Sequence, residues 1–258
     1  MTSFPYADRY RQQLALKGFD IQNQERLKQA SVLVIGAGGL GCPALQCLAA
    51  MGIGHLAVAD ADRVSLSNLH RQFLYHEGDL GQLKAKVAVT RLRAANSGLH
   101  AEAYTERLTA ARALQWFPQF DLILDCCDNF PTRYLINDAC VLLHKPFISA
   151  AVYQYEGQLC CFDVREGSAQ YRDLFPVMPS VQEAPDCATA GAYPVLTAVM
   201  GYMQAGEAVK YLSGFAPMKQ NRFLLCNSLT WQWQETEIIA SEQKGPADVN
   251  AFLQYVYD

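Results

Sequence analysis

The sequence has little charge. Asp, Glu, Lys and Arg make up 18% of 258 residues while 51% are hydrophobic, which excludes a disordered chain and leaves enough apolar matter for a substantial core. It has no basic excess. The net charge is −4, so bulk charge gives nucleic acid no footing, although a local basic pocket for phosphate is compatible with it. The first ten residues lack a basic segment followed by an apolar run, so no signal peptide and a cytoplasmic location are expected. The uncharged stretch 188–206 has the length of a membrane span, but it holds three glycines, Pro194, two threonines and Gln204 and reads as a buried helix. Paired cysteines are missing too. There are nine, an odd number, and Cys47, Cys126, Cys127, Cys160 and Cys161 sit in apolar runs, as reduced thiols do. No two have Cys-x2-Cys spacing and the five histidines are scattered along the chain, so these motifs assemble no structural zinc site. Repeats and low-complexity tracts are absent.

An alternation of strand and helix patterns is present. Residues 6–29 carry two short helical patterns with Leu14, Leu16, Ile21 and Leu27 as apolar anchors. Residues 31–35 form a β-branched run ending in glycines, 40–51 are helical, and 55–59 form a second strand ending at Asp60. That order implies a right-handed crossover and a parallel sheet. Helical patterns at 83–95, 109–117 and 130–143 alternate with strands near 100–104, 121–125 and 146–152. The fold class expected is α/β, a Rossmann-like, doubly wound, mainly parallel sheet. Then the texture changes. A strand at 157–162, a proline-bearing loop at 165–190, a buried helix near 192–212 and strands near 222–227 and 230–239 read as an antiparallel extension with a crossover loop. Gly245-Pro246 opens a last helix, 246–258, with Val249, Phe252, Leu253 and Val256 on one face. A single domain over 1–258 is expected, with 30–152 as the nucleotide-binding half and 153–240 as the second half.

Gly36-Ala-Gly38-Gly39-Leu-Gly41 follows the first strand and opens a helix. Glycines there let backbone N–H groups approach a phosphate, and the helix N-terminus adds partial positive charge. Asp60 ends the next strand, where a carboxylate can accept hydrogen bonds from ribose hydroxyls. This motif alone does not tell a dinucleotide from ATP.

The next segments do. Asp60-Ala-Asp62-Arg-Val-Ser65-Leu-Ser67-Asn68-Leu69-His70-Arg71-Gln72, Gly81-Gln82-Leu-Lys84-Ala-Lys86 and Asp125-Cys-Cys-Asp128-Asn129 together resemble the ThiF/MoeB/HesA family, bacterial relatives of ubiquitin-activating enzymes. The resemblance runs from about residue 9 to about 238. It includes Glu156-Gly157-Gln158, Cys187-Ala-Thr-Ala-Gly191 and Gln204-Ala-Gly-Glu207-Ala-Val-Lys210. It implies ATP- and Mg²⁺-dependent adenylation of the C-terminal glycine carboxylate of a small ubiquitin-like sulfur carrier protein ending in Gly-Gly, in thiamine, molybdopterin or related sulfur-transfer biosynthesis. By resemblance, Gly36, Gly38, Gly39 and Gly41 line the nucleotide, with Gly39 at the adenosine, and Asp60 holds the ribose. Asn68, Arg71 and Lys84 contact phosphates, Asp62, Ser67 and Asn129 stand close by, and Asp128 coordinates Mg²⁺. Arg71, Lys84, Asp128 and Cys187 are the catalytic candidates. Cys187 aligns with a cysteine that in some members forms a thioester or acyl-disulfide link to the carrier. A homodimer and a sulfurtransferase partner are implied; nucleic acid and membrane are not.

Two departures stand out. Where the family often has the first of two zinc-binding Cys-x-x-Cys pairs, this chain reads Gln170-Tyr-Arg-Asp173, and the second pair is missing as well. The expectation is that the C-terminal helix docks over that region instead. Where the family usually has Arg-Tyr-x-Arg, this chain reads Arg9-Tyr10-Arg11-Gln12, which removes the second arginine's reach to a neighbouring subunit. The competing readings are adenylation of another carboxylate (a ribosomal peptide or a tRNA nucleoside), a non-catalytic binding partner, and a nicotinamide-dependent oxidoreductase. The last leaves Arg71, Lys84 and Asp128 without a use.

Overall fold

The computed structural model describes residues 6–164, 168–179, 191–241, 245–246, 248–255 and 257. Its centre is an eight-stranded sheet. The strands are β1 (Ser31–Ile35), β2 (His55–Ala59), β3 (His100–Tyr104), β4 (Leu122–Asp125), β5 (Phe147–Tyr153), β6 (Glu156–Phe162), β7 (Arg222–Asn227) and β8 (Gln232–Glu237). They lie in the order β3-β2-β1-β4-β5-β6-β7-β8. The first five are parallel and the rest pair antiparallel. The order reverses between β1 and β4, the point at which such sheets leave a crevice beyond their carboxyl ends.

The parallel strands are almost continuously apolar because both faces are covered. Val32 and Val34 of β1 enter one core and Leu33 and Ile35 the other, all four nearly or fully buried. Helices α1 (Tyr6–Arg9), α2 (Arg11–Leu14), α3 (Ile21–Gln29), α4 (Gly41–Met51), α5 (Lys84–Ala95), α6 (Ala110–Trp116), α7 (Phe130–Leu142), α8 (Tyr171–Leu174), α9 (Pro194–Ser213) and α10 (Val249–Gln254), with short 3-10 turns at Leu66–Asn68, Glu77–Asp79 and Phe117–Gln119, complete the described elements. The α9 helix packs on α4, α3, β5 and β6, burying Leu196, Met200, Ala205 and Ala208 completely. Its poverty in charge thus reflects a sheet-covering role. Among the described residues, no helix is long and apolar enough to cross a membrane.

Three expectations need correction. Leu16 and Ile21 are not anchors: they are 56% and 50% exposed, whereas Leu27 is fully buried. Leu16 lies in the connection after α2, and Ile21 opens α3, whose N-terminus is fixed by Asp20 accepting from the backbone of Gln22 and Asn23 rather than by packing. The last helix is shorter than 246–258. Asp248 caps its start by accepting from Ala251 N, and Tyr255 turns extended at its end. Only Phe252 is buried, Val249 and Leu253 remain exposed, and Val256 lies outside the described residues. The loop 165–190, in its described part, contains α8.

At α8 the chain is tied by side chains. The Arg172 guanidinium donates to both carboxylate oxygens of Asp138 on α7, Nε to Oδ1 and Nη2 to Oδ2, at 2.7 Å each. Tyr257 donates its hydroxyl to Asp138 Oδ2 at 2.8 Å. Arg172 lies over the rings of Tyr134 and Tyr255, at 4.7 and 5.3 Å.

Candidate nucleotide site at the carboxyl ends of the strands

The glycine turn leaves β1 and enters α4. Gly36 has φ +95°, and a Cβ there would lie 2.6 Å from Cys126 O; a Cβ on Gly41 would lie 2.0 Å from Gly36 O. Glycine is therefore required first by the fold, and the thin turn that results can admit a phosphate. A Gly36→Ala variant is expected to lose about 1–3 kcal/mol from left-handed strain and backbone crowding, read as a lower urea midpoint with an unchanged slope.

The turn is linked to the segment after β2. Asp60 Oδ2 accepts from Ala37 N at 2.8 Å and Oδ1 from Asp62 N at 2.8 Å. Burial pushes the Asp60 carboxyl above its ordinary range, and nearby Lys84 opposes that shift. Lys84 opens α5 with a side chain only 6% exposed and donates to the exposed Asp62 at 3.1 Å. Tyr75 donates its hydroxyl to Ala37 O at 2.9 Å, tying the 62–84 segment to the glycine turn. Gly36, Gly38, Gly39, Gly41, Asp60, Asp62 and Lys84 thus form one connected neighbourhood.

Asn68 belongs to the short 3-10 turn Leu66–Asn68, and its carbonyl accepts from Arg71 N and Gln72 N. Arg71 is half-buried, with one guanidinium nitrogen on Ser67 O at 3.1 Å and 3.2 Å from His70 Nε2. Ser67 is exposed and pairs its hydroxyl with Ser65. Asp128 follows β4 and is exposed, 3.4 Å from the Asn129 amide. Asn129 itself does a structural job: its side-chain oxygen caps α7 by accepting from Thr132 N at 2.9 Å. Cys187 lies outside the described residues. The described thiols in the apolar runs are packing groups; burial pushes the pKa of Cys126, Cys127, Cys160 and Cys161 up, and that of Cys42 to about 12, so none is a ready thiolate.

Sequence reasoning gave no role to the residues beneath the site. Asp125, fully buried at the end of β4, accepts from Ser149 Oγ (2.6 Å), Arg133 Nε (3.0 Å) and Cys127 N (3.1 Å). Gln204 of α9 donates to the carbonyls of Asp125 and Ile148. This network fixes the strand ends from which Asp128 projects. Only the unusual Asp and Arg within apolar surroundings signalled it. Gln72 was also passed over. It is 3% exposed, its Oε1 is buried without a partner, and its amide nitrogen would stand 3.6 Å from a Cβ on Gly38.

The donor set fits a nucleoside triphosphate with a hard divalent cation. It offers two cationic side chains, Arg71 and Lys84, a ribose-type acceptor, Asp60, and one exposed carboxylate, Asp128, that can join phosphate oxygens around Mg²⁺.

Residues 10–247 match the ThiF family. A sulfur carrier protein adenylyltransferase from Thermus thermophilus is 48% identical, over 86% of this chain and 83% of that protein. The adenylyltransferase and sulfurtransferase MOCS3 of Xenopus laevis is 43% identical over 89% of this chain, which spans 51% of the MOCS3 length. Among solved structures, Escherichia coli MccB superposes with a TM-score of 0.82 at 19% identity, covering 95% of this chain and 74% of that one. PaaA gives 0.78 at 23%, covering 93% and 76%. At these identities the structural likeness concerns the fold.

Proposed function

The chain belongs to the ThiF family, and on that footing we propose that it is an ATP-dependent adenylyltransferase acting on the C-terminal glycine carboxylate of a small ubiquitin-like sulfur carrier protein. The observation that carries the reading is the exposed Asp128 carboxylate at the strand ends, with Arg71 and Lys84 on the segment that Tyr75 ties to the glycine turn.

In the reaction a carboxylate oxygen of the carrier attacks the α-phosphorus of ATP. The bond from that phosphorus to the bridging oxygen breaks, and pyrophosphate leaves with the electron pair. The nucleophile is already ionised, so no general base is needed. The barrier is charge repulsion, which this chain's residues counter. Asp60, aimed by two backbone N–H groups, accepts from the ribose hydroxyls. Asn68 and the Arg71 fork hold phosphate oxygens, and Lys84 adds a point charge held in place by Asp62. Asp128 would hold Mg²⁺ through its carboxylate, and the ion would supply charge neutralisation on the phosphates. We assign any covalent link to the carrier to Cys187, and the supply of sulfur to a separate sulfurtransferase. Thiamine or molybdopterin biosynthesis is the setting we favour.

The test is ATP–pyrophosphate exchange by purified protein with Mg²⁺ and carriers ending in Gly-Gly. Carrier-dependent exchange is expected, and it is lost when the terminal glycine is amidated. Exchange with an unrelated peptide instead would point to another acceptor. ATP binding without exchange would mean a binding subunit, and failure to bind ATP would sink the reading.

A further inference from the structure

At the amino-terminal ends of β2 and β3, away from the nucleotide site, three side chains distant in sequence converge. His55 and His100 are register partners across the parallel pair, and Glu102 lies two positions along β3 on the same face. His55 Nε2 stands 3.0 Å and His100 Nε2 2.8 Å from one oxygen, Glu102 Oε1, and the three atoms all lie within 4.8 Å of one another. Phe120 packs on the His55 ring at 5.2 Å, and Tyr104 donates to the second Glu102 oxygen at 3.4 Å, so two of the three groups are oriented from behind. The His100 side chain is 62% exposed and His55 27%, so the cluster opens to solvent.

We propose that His55, His100 and Glu102 form a binding site for a borderline divalent transition-metal ion, with Zn²⁺ the best fit. Two imidazole nitrogens and one carboxylate oxygen, with a remaining position open to water, are the donors that zinc takes in sites with three protein ligands. Bonds of about 2.0–2.1 Å in tetrahedral directions place ligand atoms about 3.3 Å apart. To reach that spacing the two nitrogen–oxygen distances, 3.0 and 2.8 Å, open by a few tenths of an ångström, and the two ring nitrogens, no more than 4.8 Å apart, settle at the same separation. Without an ion, each imidazole can donate its Nε2 proton to Glu102. Binding moves that proton to Nδ1 on each ring and turns the Nε2 lone pair to the metal, with no net proton change for neutral imidazoles. The hydrogen bond from His100 holds the Glu102 carboxyl below its ordinary range, so the anionic ligand is present at neutral pH. Mg²⁺ and Ca²⁺ want all-oxygen shells and are poor competitors. Asp60 follows the far end of β2, so an ion here clips β2 to β3 at the sheet edge and takes no part in adenylation.

The experiment is isothermal titration of the chelator-stripped full chain with Zn²⁺, repeated on His100→Gln and His55→Gln. Saturable binding of one ion per chain, a melting temperature raised by Zn²⁺ but not Mg²⁺, and an affinity lowered about tenfold or more in each variant are expected. The two variants should fold, and His100→Gln should melt like the parent when no metal is added. No saturable binding overturns the proposal. So does binding of equal affinity in the parent and in both variants, which would put the ion on other ligands.

Discussion

Asp128→Ala lowers carrier-dependent ATP–pyrophosphate exchange by at least about a hundredfold, while the melting temperature moves by no more than about 2 °C. Both halves follow from where the side chain lies. Asp128 is exposed, and its one described side-chain contact is the 3.4 Å approach of the Asn129 amide, so truncation removes no packing and orphans nothing. Three residues earlier, Asp125 is the reverse case. It is fully buried and satisfies Arg133, Ser149 and Cys127, so Asp125→Ala leaves a buried guanidinium unpaired at a cost of about 3–5 kcal/mol. Exchange assays paired with thermal melts should therefore separate the two acids. Activity is lost with stability kept at Asp128, and stability is lost first at Asp125. If Asp128→Ala retained full exchange, the metal and phosphate end of the site would have to be sought elsewhere.

The contrast also explains what could be read from the sequence. The local features were legible. The run 31–35 became β1 with the same bounds, the glycine turn lies between β1 and α4, and Asp60 and Asp128 follow the carboxyl ends of β2 and β4, because each depends on neighbours in sequence. Roles that depend on distant partners were not legible. The scattered histidines include a pair brought into register by β2 and β3. Gln72 sat in a quoted motif, yet its orphaned oxygen exists only because the fold buries it. The resemblance placed Asn129 only beside the phosphate contacts, and the Thr132 N–H shows its side-chain oxygen to be a cap. Apolar periodicity placed Leu16 and Ile21 inside, but too little chain packs over that surface to cover them.

The second large effect concerns the C-terminus. Deleting residues 246–258 lowers the melting temperature by about 10 °C, from a loss of about 3–5 kcal/mol. Phe252 is completely buried among the residues packed on the α6–α8 face of the sheet, and its removal opens a cavity the size of a benzene ring. Tyr257 also leaves, and with it a hydrogen bond to Asp138. This matters because Asp138 and Arg172 are nearly buried, with side chains 0% and 8% exposed, and Arg172 lies in the 170–173 segment that stands where the family resemblance implies a Cys-x-x-Cys pair. A buried ion pair tolerates the loss of one supporting hydrogen bond, at about 1 kcal/mol, but not the loss of a partner. Phe252→Ala should therefore reproduce most of the deletion's effect and Tyr257→Phe a small part. Asp138→Ala should destabilise as much as the deletion without touching the helix. An unchanged melting temperature in the truncated chain would show that the segment decorates the surface, and that the Asp138–Arg172 pair holds α7 and α8 unaided.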